Sequence, residues 1–189
     1  MYNFDIDHIG IWGASAGANL ALLTAFTPDD LYIGDNELKK YSSSVKFVID
    51  NFGPTDLNDL LRTNANQYKL KIFRFFDEEK YNMRNKKIRE ITGFNIENEK
   101  EKTIQQCELF SPLHYINKNT VPTLILHGTA DETVNVKQSE ILRDKLLILK
   151  VPQKFYLYKD LTHGFKNADE KQIAEITNHT IQFVRKQME

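Results

Sequence analysis

The pentapeptide Gly13-Ala14-Ser15-Ala16-Gly17 is a G-x-S-x-G motif, a pattern that can present a nucleophilic serine. An apolar segment precedes the motif, and a run rich in alanine and leucine follows it. In this strand-turn-helix setting the glycines permit a sharp turn that exposes the serine hydroxyl at the end of the strand. The N–H groups at the start of the helix favour negative charge at the same place. The motif therefore predicts that Ser15 is a nucleophile.

A serine nucleophile requires a general base, and five histidines compete for that role. His163 lies in the segment KDLTHGF, just after the last predicted strand, in a loop to which Gly164 adds flexibility. His127 ends a predicted strand, and we interpret it as a packed or hydrogen-bonded residue that supports its loop. Two others, His8 and His179, are interpreted as structural or surface residues, and the pattern around His114 decides nothing. His163 is therefore the predicted base.

The base requires a carboxylate that holds its tautomer, and Asp131 in LHGTADETV follows the third predicted strand. An alternative role for Asp131 is to cap the helix that begins near Asn135. Asp160 is close to His163 in sequence and is interpreted as a cap of its own loop. We favour Asp131, which makes the chain order Ser15, Asp131, His163.

Four short apolar runs bounded by turn residues predict strands at residues 8–13, 45–53, 122–128 and 154–159. They alternate with helical stretches, which predicts an α/β fold with a mainly parallel sheet flanked by helices. The helix after Ser15 is apolar nearly all round, whereas residues 135–149 and the last helix are amphipathic. Residues 57–106 are charged but contain many apolar side chains, and we expect a helical insertion over one edge of the sheet.

Length and charge exclude several classes of protein. A chain of 189 residues fits one domain, and 25 basic against 26 acidic residues give no field that would attract nucleic acid or anionic lipid. No apolar run approaches the length of a membrane span, and residues 1–8 lack the pattern of a signal peptide. The compartment is left open. The lone Cys107 is interpreted as a small buried residue.

Four landmarks resemble α/β-hydrolases of the acetyl-esterase and feruloyl-esterase type, which are dienelactone-hydrolase-like enzymes. They are IWGASAGANLA, NFGPTDL, SPLHYI with VPTLILHGTADETVNVKQSEIL, and LTHGF. The resemblance covers nearly the whole chain except the charged insertion, and the order serine, aspartate, histidine also matches these hydrolases. It implies hydrolysis of short-chain carboxylic esters, such as acetyl or feruloyl groups on polysaccharide, without a metal or an organic cofactor.

The resemblance also implies roles for individual residues. Ser15 would attack the ester carbonyl, His163 would take its proton, and Asp131 would steady the imidazolium. The backbone N–H of Ala16 would donate one hydrogen bond to the oxyanion. Phe52, Gly53 and Pro54 would lie close to the substrate pocket. The equal alternative is that these three residues only form a tight turn that ends the strand.

The chain departs from this family at its beginning. Such hydrolases have about eight strands, with the serine after the fifth, whereas here the serine is residue 15 and no HGG sequence occurs. In this family an HGGG-type loop supplies a second hydrogen bond to the oxyanion, and its loss would lower the rate by a factor of about 10²–10³. Without its neighbour the first strand becomes an edge that is prone to pairing. We expect either a fragment of a longer enzyme or a truncated protein that covers this edge by forming a homo-oligomer.

Three functions remain open at this point. The leading hypothesis is an esterase that acts on a small ester or an acylated saccharide. A serine peptidase of the prolyl-oligopeptidase type shares the order of the three residues and is the alternative within enzymes. The alternative outside enzymes is an inactive hydrolase remnant or interaction module.

Overall fold

A parallel sheet of four strands carries the segments that sequence analysis singled out. The computed structural model describes residues 5–29, 31–32 and 34–189. The strands are β1 (Gly10–Ala14), β2 (Phe47–Asn51), β3 (Thr123–Gly128) and β4 (Gln153–Tyr158). The helices are α1 (Ala16–Phe26), α2 (Leu57–Leu60), α3 (Gln67–Phe76), α4 (Glu78–Thr92), α5 (Lys100–Leu109), α6 (Lys137–Ile148) and α7 (Glu170–Met188). Short 3₁₀ segments cover Ile6–His8, Asn36–Lys40, Pro112–Tyr115 and His163–Phe165.

The chain divides into two compact units. One contains residues 1–55 and 115–189, and the other contains residues 56–114. The first holds the whole described sheet together with α1, α6 and α7, and the second holds α2 to α5. The predicted insertion at residues 57–106 falls inside the second unit, and its packing over an edge of the sheet stays a prediction.

The strand order in the sheet is β1-β2-β3-β4, and all three pairs are parallel. Every residue of β2 and β3 is buried, as expected for central strands whose two faces are both covered. At the carboxyl ends, Ala14 is in register with Asn51, and Asn51 is in register with Leu126. The loops after the four strands therefore start from one edge of the sheet, and the predicted α/β class is confirmed.

The two faces of the sheet pack against different helices. Ile49, Leu124 and Leu126 form one buried cluster with Phe183 of α7. On β2, Asp50 belongs to the opposite face because successive strand residues alternate. A Cβ added to Gly53 would lie 2.5 Å from Asp50 Oδ1 and 2.7 Å from Ala18 of α1. Helix α1 thus covers the Asp50 face and α7 covers the other.

Strand β1 lies at one edge of the described sheet and is only partly covered. Its residues alternate between exposed and half-buried, and the Trp12 side chain is 62% exposed. Leu20 on the following helix is also exposed. The predicted homo-oligomer that would cover this edge stays a prediction.

The helical unit has its own apolar core, formed by Leu57, Leu61, Ile88, Ile96 and Cys107. Side chains cap its helices, since Asn66 accepts from Tyr68 N, and Asp77 accepts from Lys80 N. Burial raises the pKa of the Cys107 thiol to about 11, which keeps it protonated.

Within the described ranges, no helix of either unit has the length and apolar character needed to cross a membrane.

Candidate active site

The segment between β1 and α1 forms a tight turn around Ser15. Its φ of 54° and ψ of −122° are strained for a residue with a side chain. The Ser15 N–H donates to Asn51 O at 2.9 Å, and its carbonyl accepts from Ala18 N at 3.0 Å. These bonds connect the turn to β2 and to the first turn of α1. The backbone therefore holds Ser15 in a conformation that places its hydroxyl beyond the strand.

The two glycines of the G-x-S-x-G motif have different surroundings. A Cβ on Gly13 would lie 2.1 Å from the carbonyl oxygen of Gly17, because α1 passes directly over the end of β1. A Cβ on Gly17 would meet no described atom within 4 Å. Close approach of the backbones thus requires glycine at position 13, whereas position 17 has open space around it.

His163 lies in the short 3₁₀ segment that follows β4, directly beside Ser15. Its Nε2 is 2.9 Å from Ser15 Oγ, and its Nδ1 is 2.7 Å from Asp131 Oδ2. Gly164 has a φ of 77°, a left-handed conformation that glycine adopts without strain. Asn167 fixes the loop by accepting from Thr162 N and donating to the carbonyl of Asp160. Sequence analysis did not identify this asparagine.

Asp131 is buried in the loop after β3, and both of its carboxylate oxygens are occupied. Oδ1 accepts from Thr133 N at 2.8 Å and from Val134 N at 2.9 Å. Oδ2 faces His163, so the chain order Ser15, Asp131, His163 closes into one hydrogen-bonded series. The alternative role as a cap of α6 does not hold, because α6 begins at Lys137 and Asp131 caps its own turn instead.

His127 is fully buried and supports the same carboxylate from a second direction. Its Nδ1 is 2.7 Å from Ser139 Oγ, and its Nε2 is 2.9 Å from Val134 O and 3.2 Å from Asp131 Oδ2. Since a carbonyl can only accept, Nε2 carries the proton and the Ser139 hydroxyl donates to Nδ1. Burial lowers the pKa of His127, which keeps it neutral. A neutral His127 can donate to Asp131 without neutralising its charge.

Phe52 contacts the His163 ring directly. Their ring centroids are 5.0 Å apart in an edge-on arrangement, and Phe165 packs on Phe52 at 4.9 Å. The φ of Phe52 is 47°, so a second strained residue supports the site. Gly53 and Pro54 are buried in the same turn, where Gly53 N donates to Asp50 and Pro54 O accepts from Asn19. Their predicted place beside a substrate pocket stays a prediction.

Asp50 is a buried carboxyl that sequence analysis missed. Its Oδ1 accepts from Gly53 N at 2.8 Å, and its Oδ2 has no partner among the described residues. Burial raises the pKa of Asp50 to about 7. The signal that could have found it is a single acidic residue inside the apolar strand of residues 45–53, one position before Asn51.

The other histidines lie elsewhere. His8 pairs with Asp5, His179 stacks on Tyr156 at 3.7 Å, and His114 is exposed in the helical unit. No cluster of three or more metal-ligating side chains occurs within residues 5–29, 31–32 and 34–189. The geometry can therefore support nucleophilic attack by Ser15 with proton transfer to His163.

Comparison with known proteins gives two family matches. A family model described as BD-FAE matches residues 1–146, which is most of the chain. A model of the Dienelactone hydrolase family matches residues 107–186. A stretch of 74 residues is 28% identical to the uncharacterized peptidase YtmA of Bacillus subtilis strain 168, covering 39% of this chain and 29% of YtmA.

Solved esterases have a similar fold. The butyrate-bound esterase Est2 of Thermogutta terrifontis superposes with a TM-score of 0.67 at 20% identity, covering 94% of this chain and 55% of Est2. A truncated carbohydrate esterase from gut microbiota gives a TM-score of 0.63 at 20% identity, covering 98% of this chain and 61% of that esterase. The chain thus spans little more than half the length of these structures. Together with the BD-FAE match, the shared architecture shows that this chain has the α/β-hydrolase fold and belongs to the BD-FAE family.

Proposed function

We propose that this chain is a serine hydrolase of short-chain carboxylic esters that works through Ser15, His163 and Asp131. The observation that carries the proposal is the hydrogen-bonded series from Ser15 Oγ to His163 at 2.9 Å and from His163 to Asp131 at 2.7 Å. Membership of the BD-FAE family supports the same activity.

In the first step Ser15 Oγ attacks the ester carbonyl carbon while His163 Nε2 takes the hydroxyl proton. The charge that develops on the carbonyl oxygen lies close to the first turn of α1. There the N–H of Ala16 has no acceptor among the described residues, so it can donate to that oxygen. Asp131 stabilises the imidazolium from Nδ1.

The tetrahedral intermediate then collapses. His163 Nε2 returns the proton to the alkoxide leaving group, the ester C–O bond breaks, and an acyl-Ser15 ester remains. Water attacks this ester while His163 Nε2 takes its proton. His163 then returns that proton to Ser15 Oγ as the bond between the acyl carbon and Oγ breaks, and the acid is released.

Short acyl groups are the proposed acid component of the substrate. Est2, which superposes on this chain, has been solved with propionate and with butyrate bound. A second similar structure is a carbohydrate esterase, which favours an acylated saccharide as the natural substrate. Acetyl and feruloyl groups on polysaccharide follow from the family resemblance.

A peptidase is the second candidate, because 74 residues are similar to a protein named as a peptidase. The serine, aspartate and histidine occur in the same order in esterases and in these peptidases, so their order cannot distinguish the two classes. Esterases and peptidases differ in the acyl group and the leaving group that they accept. Only the choice of substrate separates them.

The test is hydrolysis of p-nitrophenyl acetate and butyrate by the purified chain, beside a proline-containing p-nitroanilide peptide. Ser15→Ala and His163→Ala should both abolish turnover, and the exposed variant His114→Ala is the matched control. Cleavage of the esters but not of the peptide supports an esterase. Faster cleavage of the peptide supports the peptidase, and turnover that survives in Ser15→Ala contradicts both.

A further inference from the structure

The helical unit contains a cavity of about 310 Å³ that the proposed hydrolysis does not use. Helices α3 and α4 line it together with Thr63, Ala65, Ile96, Glu97 and Lys100. Ala65, Leu70, Ile96 and the ring of Tyr81 form an apolar part of its wall. Its volume is at the lower end of the range for small-molecule sites, which suits a compound with one ring.

Positive charge dominates the polar part of this wall. Lys71, Arg84 and Lys100 line the cavity without a carboxylate partner among the described residues, and Arg74 lines it while pairing with Glu78. Glu97 is the one carboxylate in the lining. Its Oε1 accepts from Tyr81 OH at 3.0 Å and from Asn85 Nδ2 at 3.3 Å. Glu97 thus accepts from neutral donors, and the lining carries four cationic side chains against one carboxylate.

Arg84 is the most constrained of these groups. Its guanidinium is partly buried and donates to the carbonyls of Leu61 at 2.8 Å and Arg62 at 2.9 Å, and to Asn85 Oδ1 at 2.6 Å. These bonds use three of its five N–H donors. Burial lowers the pKa of the Arg84 guanidinium, and no described carboxylate offsets that cost. A partly buried cation without a counter-charge is stabilised by an anion that enters the cavity.

A neighbouring cavity in the same unit shows that this charge is local. It has a volume of about 580 Å³ and also borders Arg84, but Asp56 and Asp59 line it beside Arg62 and Lys69. Acidic and basic side chains are nearly balanced there. Of these two cavities, only the smaller one has a clear excess of positive charge that would attract an anion.

We propose that the smaller cavity binds an aromatic carboxylate. The carboxylate would accept from the remaining Arg84 N–H donors and interact with Lys71 and Lys100, while the ring would lie against Leu70, Ile96 and Tyr81. This site consists entirely of residues of the helical unit. The proposal therefore does not rest on the proposed ester hydrolysis, and it can be tested by binding alone.

The experiment is a titration of the whole ¹⁵N-labelled chain with benzoate, followed by amide chemical shifts. Saturable shifts that cluster on residues around the cavity are expected, with an affinity in the millimolar range or tighter. The double variant Lys71→Gln/Lys100→Gln should weaken benzoate binding by about tenfold. Neither lysine side chain has a hydrogen bond or an ion pair among the described residues, so the variant should unfold at the same urea concentration as the parent chain.

Three controls determine the outcome. Lys87→Gln removes an exposed lysine of α4 that does not line the cavity, and it should bind benzoate like the parent chain. Benzamide keeps the ring without the charge, and inorganic phosphate keeps the charge without the ring. Equal binding of benzamide or of phosphate, equal weakening by Lys87→Gln, or no saturable shift with benzoate would each overturn the proposal.

Discussion

Asp131 and His127 form a second contact beside the bond between Asp131 and His163. His127 Nε2 lies 3.2 Å from the same Oδ2 atom that accepts from His163 at 2.7 Å. One carboxylate oxygen thus faces two imidazole rings, of which His127 is neutral because burial lowers its pKa. The negative charge of Asp131 consequently remains available to His163.

Replacing Asp131 with asparagine tests the orientation of His163. Asparagine Oδ1 can still accept from Thr133 N and Val134 N, so the loop should fold. Its NH₂ group would face His163 Nδ1 and favour the wrong imidazole tautomer, and we expect kcat for p-nitrophenyl acetate to fall on the order of 10⁴-fold. A variant that keeps its activity while remaining folded by circular dichroism would exclude this role.

Ser139→Ala tests whether His127 acts through Asp131. The change leaves His127 Nδ1 without its donor in a fully buried site, which should cost about 1–3 kcal/mol in the free energy of unfolding. We expect kcat to decrease as well, with KM unchanged.

The matched control is Ser111→Ala, which removes a buried hydroxyl bonded to Cys107 O in the helical unit. It should lower the free energy of unfolding and leave kcat unaltered. If each variant lowers the free energy of unfolding and neither lowers kcat, then His127 supports the loop but does not position the carboxylate.

The two glycines of the motif should respond oppositely to alanine. In Gly13→Ala the new Cβ meets the Gly17 carbonyl at 2.1 Å. We therefore expect the free energy of unfolding to fall by about 1–3 kcal/mol, which is the usual effect of overpacking. Gly17→Ala introduces a methyl group into open space within α1 and should be neutral or stabilising by up to about 1 kcal/mol. Urea unfolding of the two variants measures both effects, and similar losses in both would show that helix α1 is placed differently.

Asp50 should make the stability depend on pH. Its pKa is raised to about 7 in the folded protein, against an ordinary value of 3.8 in the unfolded chain. Between these values the folded protein keeps a proton that the unfolded chain has lost, so stability falls as the pH rises from about 4 to about 7. Asp50→Asn keeps an acceptor for Gly53 N but cannot ionise. Its gain in urea midpoint over the parent should be larger at pH 8 than at pH 4, and a gain independent of pH would contradict the raised pKa.

Sequence patterns predicted the fold well because local rules apply to most of this chain. Apolar runs predicted the four strands, and their alternation with helices predicted that the strands are parallel. The structure confirms the parallel sheet. Since carboxyl ends of parallel strands meet at one edge, the same reasoning brought Ser15, Asp131 and His163 together, and the structure places them within hydrogen-bond distance. Their catalytic roles stay predictions.

Other features depend on contacts that no local pattern encodes. The contact of His127 with Asp131 arises from the conformation of the loop after β3, and the interaction of Phe52 with His163 depends on a strained backbone. The charge of the cavity in the helical unit depends on the packing of α3 against α4, because its lysines and arginines are scattered in sequence.

The most direct measurement of the central claim is labelling of the purified chain by a fluorophosphonate, with mass spectrometry to locate the adduct. The account predicts one adduct, on Ser15, that is absent from Ser15→Ala and strongly reduced in His163→Ala. A chain that is folded by circular dichroism and remains unlabelled, or that is labelled at another residue, would contradict the claim that Ser15 is an activated nucleophile.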